Sequence, residues 1–128
     1  MIKKNRVSLW LGQFNTNEMF DAYADGKYDE DGNYIKSEFQ EEFEIVQYDM
    51  DSIEKDWISS QCDSLRDLLL GFSYDDQIIS NFSNTCIINS DIHKYNSILL
   101  LYNFEYENHN KRNNVKMDFI GCVDVNIL

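Results

Sequence analysis

The stretch YDEDGNY, residues 28–34, sets Asp29, Asp31 and Asn33 at alternate positions beside Gly32. That is the spacing with which an EF-hand loop offers its first, third and fifth calcium ligands. The sixth position of such a loop must be Gly, to make a sharp turn, and the twelfth a Glu that grips the ion with both oxygens. Here those positions hold Tyr34 and Gln40. A neutral amide supplies no bidentate charge, and Tyr resists the backbone angle that the turn needs. Alternating acids around Asp-Gly are also what a solvated turn is made of. The stretch therefore reads as a turn, and its acids need another purpose.

Other chemistries fail in the same way. Cys62, Cys86 and Cys122 are odd in number and far apart, without a Cys-x-x-Cys pair, and His93 and His109 do not stand at metal-ligand spacing from them. Reduced thiols in apolar surroundings explain them better than zinc does. No phosphate-cradling Gly-x-x-x-x-Gly-Lys, dinucleotide Gly-x-Gly-x-x-Gly or nucleophile elbow Gly-x-Ser-x-Gly occurs. A Cys–His nucleophile would have to be assembled from His93 or His109, both in polar, loop-like contexts, with no activating neighbour. Paired carboxylates for glycoside chemistry can be drawn from so many acids that no pair stands out. The expectation is a protein that is not an enzyme and needs no metal or cofactor.

The acids are more informative as a field. The chain carries a formal net charge of −12, and residues 37–76 hold 12 acidic against 2 basic groups while the flanking thirds are close to balance. Such a field repels nucleic acid and anionic membranes and draws in basic partners. Lys3, Lys4 and Arg6, with Lys111 and Arg112, are too few to make a phosphate-binding face. Tyr28, Tyr34, Tyr48, Trp57 and Tyr74 lie in or beside the acidic segment, where each fits either the core or an exposed anchor.

These residues are positioned by one domain spanning residues 1–128. A chain of 128 residues buries about two-thirds of its unfolded surface, enough for a core without staples. No apolar run approaches the ~20 residues of a membrane helix, and the basic start MIKKNR is followed by alternation rather than a cleavage signal, so a cytoplasmic location is expected. Val7, Leu9 and Leu11 alternate with Arg6, Ser8 and Trp10 as in a half-buried strand. Asn15 with Glu18 and Ser37 with Gln40 form capping-box pairs that predict short helices, the first stopped by Gly26 and the second burying Phe39 and Phe43 while Glu38, Glu41 and Glu42 face outward. DWISS, residues 56–60, carries a weak strand signal. Two further helices follow, one with Leu65, Leu68 and Leu69 inward and Gly71 at its end, the other opening at Ser73 and Asp76 and burying Ile78, Ile79 and Phe82. The segments 96–106 and 115–127 alternate as strands, with ENHNKRNN between them as a hairpin loop. The fold class is thus α+β: an antiparallel sheet including the N-terminal strand and a C-terminal β-hairpin, with several short helices packed on one side.

In this order VSLWLGQF (7–14), EDGNYIKSEF (30–39), YDMD (48–51), SLRDLLLGFSY (64–74), ILLLYNFEY (98–106) and FIG (119–121) resemble the immunity protein 22 family of bacterial polymorphic-toxin systems. The resemblance spans nearly the whole chain, with Trp10 and the turn from Glu30 to Gly32 among the matching positions. It implies a small α+β protein that binds the C-terminal domain of a toxin encoded beside it, without catalysis or cofactor. The charge supplies a mechanism: an acidic inhibitor imitates the phosphates that a basic toxin, such as a nuclease, must hold. The expected contact residues are Glu38, Glu41, Glu42, Asp49, Asp51, Glu54, Asp56 and Trp57, with Asp29, Glu30 and Asp31 near them. Two other readings fit the same features, an acidic nucleic-acid mimic aimed at a DNA-binding host protein and, less well, a small enzyme using Cys or His.

Overall fold

The computed structural model describes residues 1–85, 92–107 and 114–127. Cys86, His109, Lys111 and Arg112 lie outside the described residues. In chain order the elements are β1 (Ile2–Gly12), α1 (Asn17–Ala24), β2 (Lys27–Tyr28), β3 (Tyr34–Ile35), α2 (Glu38–Glu42), β4 (Ile53–Trp57), α3 (Leu65–Leu69), α4 (Asp75–Thr85), β5 (Ser97–Phe104) and β6 (Met117–Asp124). β2 and β3 form a small hairpin of their own, and the other four strands make an antiparallel sheet in the order β4-β5-β1-β6.

The first strand decides this arrangement. Val7, Leu9 and Leu11 are buried on one face against Leu68, Leu69, Ile78 and Phe82 of α3 and α4. Trp10 is equally buried on the other face, against Phe20, Tyr23, Phe39 and Phe43 of α1 and the α2 region. The half-buried strand expected from alternation is therefore covered on both sides, and the helices, expected on one side, divide between the two faces. A strand that is wet on neither face belongs in the middle of a sheet. Accordingly β1 pairs with β5 through Leu9↔Leu100 and with β6 through Val7↔Val123.

That insertion also corrects the expected C-terminal hairpin. β5 and β6 do not pair with each other: both run antiparallel to β1, and so parallel to one another. Two alternating segments separated by a polar loop resemble a hairpin locally, but β1 outcompetes either as a neighbour because it is apolar on both faces. Parallel strands need a crossover of about a dozen residues or more, which segment 105–116 supplies. The crossover starts over Ser8, whose small side chain leaves room for the passing chain. Ser8 is fully buried, its hydroxyl donating to the Phe104 carbonyl at 2.8 Å and accepting from the Tyr106 amide at 3.0 Å. Tyr106 then packs against Trp10 and Phe119, with ring centroids 5.4 and 4.8 Å away.

Trp10 is thus a core residue. It is 0% exposed, in contact with the rings of Phe39, Phe43, Tyr106 and Phe119. Its indole N–H has no hydrogen-bond acceptor among the described residues, a cost of about 1–3 kcal/mol. Apolar burial of this size, about 1.5–3 kcal/mol per large side chain, and edge-on ring contacts of about 0.5–1.5 kcal/mol each offset that cost.

The helix ends follow local chemistry, with small shifts from expectation. Ser37 and Gln40 form the capping box foreseen for α2, and Gly71, at φ +101, follows α3. α1 is capped by Thr16 rather than Asn15, its hydroxyl accepting from the Met19 amide. Gly26 does not stop α1 by a left-handed turn; a Cβ there would overlap the Tyr34 ring, so the glycine lets the β2–β3 hairpin lie close. Ser73 does not cap α4, because its amide and hydroxyl are given to Glu54.

Replacing Ser8 by Ala leaves the buried Tyr106 amide without its acceptor and the Phe104 carbonyl with only the Cys122 thiol, at 3.8 Å. We expect Ser8→Ala to lower the unfolding free energy by about 1–3 kcal/mol in urea titration, and Ser8→Val to do no better because its extra carbon meets the crossing chain. A Val variant more stable than wild type would contradict the crossover contact.

Candidate functional site

The acids expected at a contact face are sorted by whether backbone or hydroxyl donors need them. Glu42 was expected on the outer surface of α2, but it is 6% exposed. Its carboxylate accepts from the Tyr23 hydroxyl at 2.8 Å and from the Lys116 amide at 2.9 Å. Burial, and then the Glu42 hydrogen bond, push the Tyr23 phenol far above its ordinary range. α2 has only five residues, so a periodicity reading of which flank faces inward is weak there. Glu54 accepts from the amide and hydroxyl of Ser73 and from Tyr102, at 2.9, 2.5 and 3.2 Å. It fastens the edge strand β4 to the turn before α4. Trp57 is half-buried, its indole N–H donating to the Phe14 carbonyl at 2.9 Å. Glu38 is partly exposed and paired with Lys116 at 2.6 Å.

The register splits the remainder. Glu54 and Asp56 stand opposite Leu100 and Ile98, whose side chains belong to the α3/α4 face, whereas Ile53, Lys55 and Trp57 stand opposite the row on the α1/α2 face. Asp56 is exposed and accepts from the Trp57 amide. Lys55, one of the two cations in the acidic segment, turns to α1, paired with Asp21 and Asp25. The expected residues consequently do not form one continuous face.

One subset does come together. In the β2–β3 hairpin, Asp29 accepts from the amides of Asp31 and Asn33 at 2.9 and 2.8 Å, and Gly32 takes φ +83. These bonds, led by that from Asn33, hold the Asp29 carboxyl below its usual range. The stretch is a hydrogen-bonded turn, and among the described residues no group of three His, Cys, Asp or Glu is placed to hold a metal ion. The hairpin projects Glu30 and Asp31 into solvent and carries Tyr28 and Tyr34 as an edge-to-face pair with centroids 5.5 Å apart. The Tyr28 hydroxyl reaches the Met50 sulfur at 3.9 Å, which sets the hairpin beside the turn of Asp49 and Asp51. Asp49 accepts from the Asp51 amide and starts that turn. Behind them Tyr48 is half-buried, its phenol pushed up to about 12 by burial and by Tyr34.

The surface so formed is apolar at its centre and acidic at its rim. Tyr28 is 63% and Met50 52% exposed, flanked by Asp29, Glu30 and Asp31 on one side and Asp49 and Asp51 on the other. Met50 was not among the expected contact residues. Its signal, a long apolar side chain between two acids in YDMD, was present in the sequence but indistinguishable from a core methionine. Glu41 is also exposed, on α2.

The arrangement is one of exposed aromatic and thioether groups inside a rim of carboxylates. The family described as Immunity protein 22 matches residues 7–125, and the chain belongs to that family. Membership carries a toxin-neutralising role, in a class that acts in general without catalysis. Comparison with curated proteins and with solved structures found no significant match. No helix among the described residues is long and apolar enough to cross a membrane.

The sorting of acids is directly measurable. Glu42→Ala strands the buried Tyr23 hydroxyl and the part-buried Lys116 amide, and is expected to cost about 1–3 kcal/mol of unfolding free energy. Glu30→Ala, exposed on the β2–β3 hairpin, should stay within about 0.5 kcal/mol of wild type. Equal effects in urea titration would refute the distinction.

Proposed function

We propose that this protein neutralises a basic toxin domain, such as a nuclease, encoded beside it in a bacterial polymorphic-toxin system, and that it does so in the cytoplasm. The contact surface is the β2–β3 hairpin with the adjoining turn: Asp29, Glu30, Asp31, Asp49 and Asp51 around Tyr28, Tyr34 and Met50. The observation that carries this reading is the juxtaposition of Tyr28 with Met50, which joins two acidic loops around one exposed apolar centre. Glu38, Glu41 and Asp56 stay at the margin as contributors to the field; Glu42, Glu54 and Trp57 support the surface from within.

The mechanism is electrostatic capture followed by desolvation. A basic protein approaching this chain meets a potential dominated by residues 37–76, and long-range attraction raises its association rate. On contact, the Tyr and Met side chains lose water against the toxin and slow dissociation. The carboxylates stand in for nucleic-acid phosphates, so a nuclease cleft is blocked either at its catalytic groups or along its substrate path. Because the acids at the rim are solvated, their contribution falls as salt rises.

The test is a salt series of association with the C-terminal toxin domain encoded beside this gene. We expect wild-type association to slow steeply with ionic strength. The combined variant Glu30→Gln, Asp31→Asn, Asp49→Asn and Asp51→Asn should associate about tenfold or more slowly at low salt and show a flatter slope. A salt-independent rate, or a variant indistinguishable from wild type, would refute the surface.

A further inference from the structure

The two edge strands of the sheet are not alike. The ladder that holds β6 to β1 is interrupted by a register shift between Leu9 and Trp10, whereas β4 runs regularly against β5 from Ile53 to Trp57. One bond fixes the phase of β4: the Ile58 amide donates to the Asn96 carbonyl at 2.8 Å, one step beyond the pair Trp57↔Ser97. Backbone groups alternate in direction along an antiparallel strand. Glu54, Asp56 and Ile58 therefore turn theirs to β5, and Ile53, Lys55 and Trp57 turn theirs away from the sheet. The outward Trp57 amide is closed by the Asp56 side chain at 2.9 Å. The outward amides and carbonyls of Ile53 and Lys55 have no hydrogen-bond partner among the described residues.

A cleft of about 580 Å³ runs beside these groups. Consecutive residues 53–56 line it, so it follows the edge of the strand rather than either face. Its other wall is the turn 70–73, whose own donors are spent: the amides of Leu70, Gly71, Phe72 and Ser73 bond Arg66, Asp75, Leu69 and Glu54. Leu70, 57% exposed, forms the lip. What β4 leaves to be satisfied is thus a short ladder of backbone groups, and the complement of a ladder is another extended chain.

The side chains of β4 select that chain. On the α3/α4 face Glu54 and Asp56 have neutral donors as partners, from Ser73, Tyr102 and the Trp57 amide, and neither meets a cation among the described residues. Of the two cations in residues 37–76, Lys55 is held on the other face by Asp21 and Asp25, and Arg66 does not line the cleft. On the α1/α2 face Ile53 and Trp57 are apolar and partly buried. A strand added here is complementary when its basic residues lie on one face and its apolar residues on the other, which in an extended chain is alternation. A second copy fails this condition: β4 laid antiparallel on β4 sets Glu54 and Asp56 beside their own copies, and like charges across strands repel. We propose that an extended segment of the toxin, with basic and apolar residues in alternation, adds to β4 as a fifth strand of the sheet. β4 starts where the turn of Asp49 and Asp51 ends, so this contact continues the hairpin surface. That the strand comes from the toxin rests on the neutralising role proposed above; the edge's preference for such a strand does not.

The experiment has two arms. In the first, amide NMR follows this protein during titration with acetyl-Val-Lys-Val-Arg-Val-amide, with acetyl-Val-Glu-Val-Glu-Val-amide, and with two N-methylated forms of the basic peptide, one methylated at its valines and one at its basic residues. The basic peptide is expected to bind with roughly millimolar affinity. At about ten times its dissociation constant it should slow exchange of the Ile53 and Lys55 amides about tenfold, while the Glu54 and Asp56 amides, already turned to β5, stay as they were. The acidic peptide should bind at least about tenfold more weakly, and Asp56→Asn, which keeps an oxygen for the Trp57 amide, should narrow that gap. One of the two methylation patterns should abolish binding, since alternate amides of an added strand face β4. Binding that leaves the Ile53 and Lys55 amides unprotected, or that survives both methylation patterns, would overturn the proposal. So would a concentration-dependent dimer that protects the same amides without peptide, which would seat a second copy there. In the second arm, the toxin complex should protect these two amides, and Leu70→Arg, which sets a cation at the lip of the cleft, should speed its dissociation about tenfold or more. Peptide binding with no toxin binding at all would leave the fifth strand standing and remove the neutralising role; toxin binding that leaves both amides unprotected would remove the fifth strand and leave that role.

Discussion

Everything in this fold depends on β1 being dry on both faces. Leu9 and Leu11 look into one core and Trp10 into another, with all three at 0% exposure. A strand with two apolar faces can satisfy both only at the centre of a sheet with helices on either side. From that follow the separation of β5 from β6, the crossover that passes over Ser8, and the division of the helices into α1 with α2 on one face and α3 with α4 on the other. The crossing chain closes the Trp10 core with Tyr106.

A second constraint acts on the acids. A carboxylate near the body of a small protein is recruited by whatever donors lack partners, and Glu42 and Glu54 are both consumed in this way: one holds Tyr23 and the start of β6, the other the turn before α4. Leaving such donors unpaired costs more than a solvent-exposed ion pair returns. Other acids stand on turns that satisfy their own backbone, at Asp29 and Asp49. Each turn spends one carboxylate on its own amides and presents the following acids outward. The acidic surface is thus a by-product of two self-contained turns, set side by side by the contact between Tyr28 and Met50.

This explains what was legible in the sequence. The α+β class, the strands at both ends of the chain, the capping box of Ser37 and the turn nature of residues 28–34 all rest on local chemistry, and all can be read locally. Trp10 misleads because period-2 alternation distinguishes two faces but not whether the second is wet. The hairpin misleads because pairing of β5 with β6 is a question of which strand wins a contest, and the winner, β1, lies almost a hundred residues away. Glu42 and Glu54 misread for a related reason: the donors that claim them, on Lys116 and Ser73, come from elsewhere in the chain. The proposed contact surface left a trace in composition, an excess of acids near tyrosines, but its centre at Met50 needed the tertiary meeting of hairpin and turn. The open edge of β4 left no local mark, since which backbone groups of a strand stay unpaired is decided by its neighbours in the sheet.

The central claim, that the hairpin and the adjoining turn carry the neutralising contact, is tested most directly by amide hydrogen exchange of this protein alone and in complex with the toxin domain proposed as its partner. The account predicts added protection at residues 28–35 and 48–51, with Ile53 and Lys55 following. Protection confined to β6 and α4, at the opposite edge of the sheet, would contradict it.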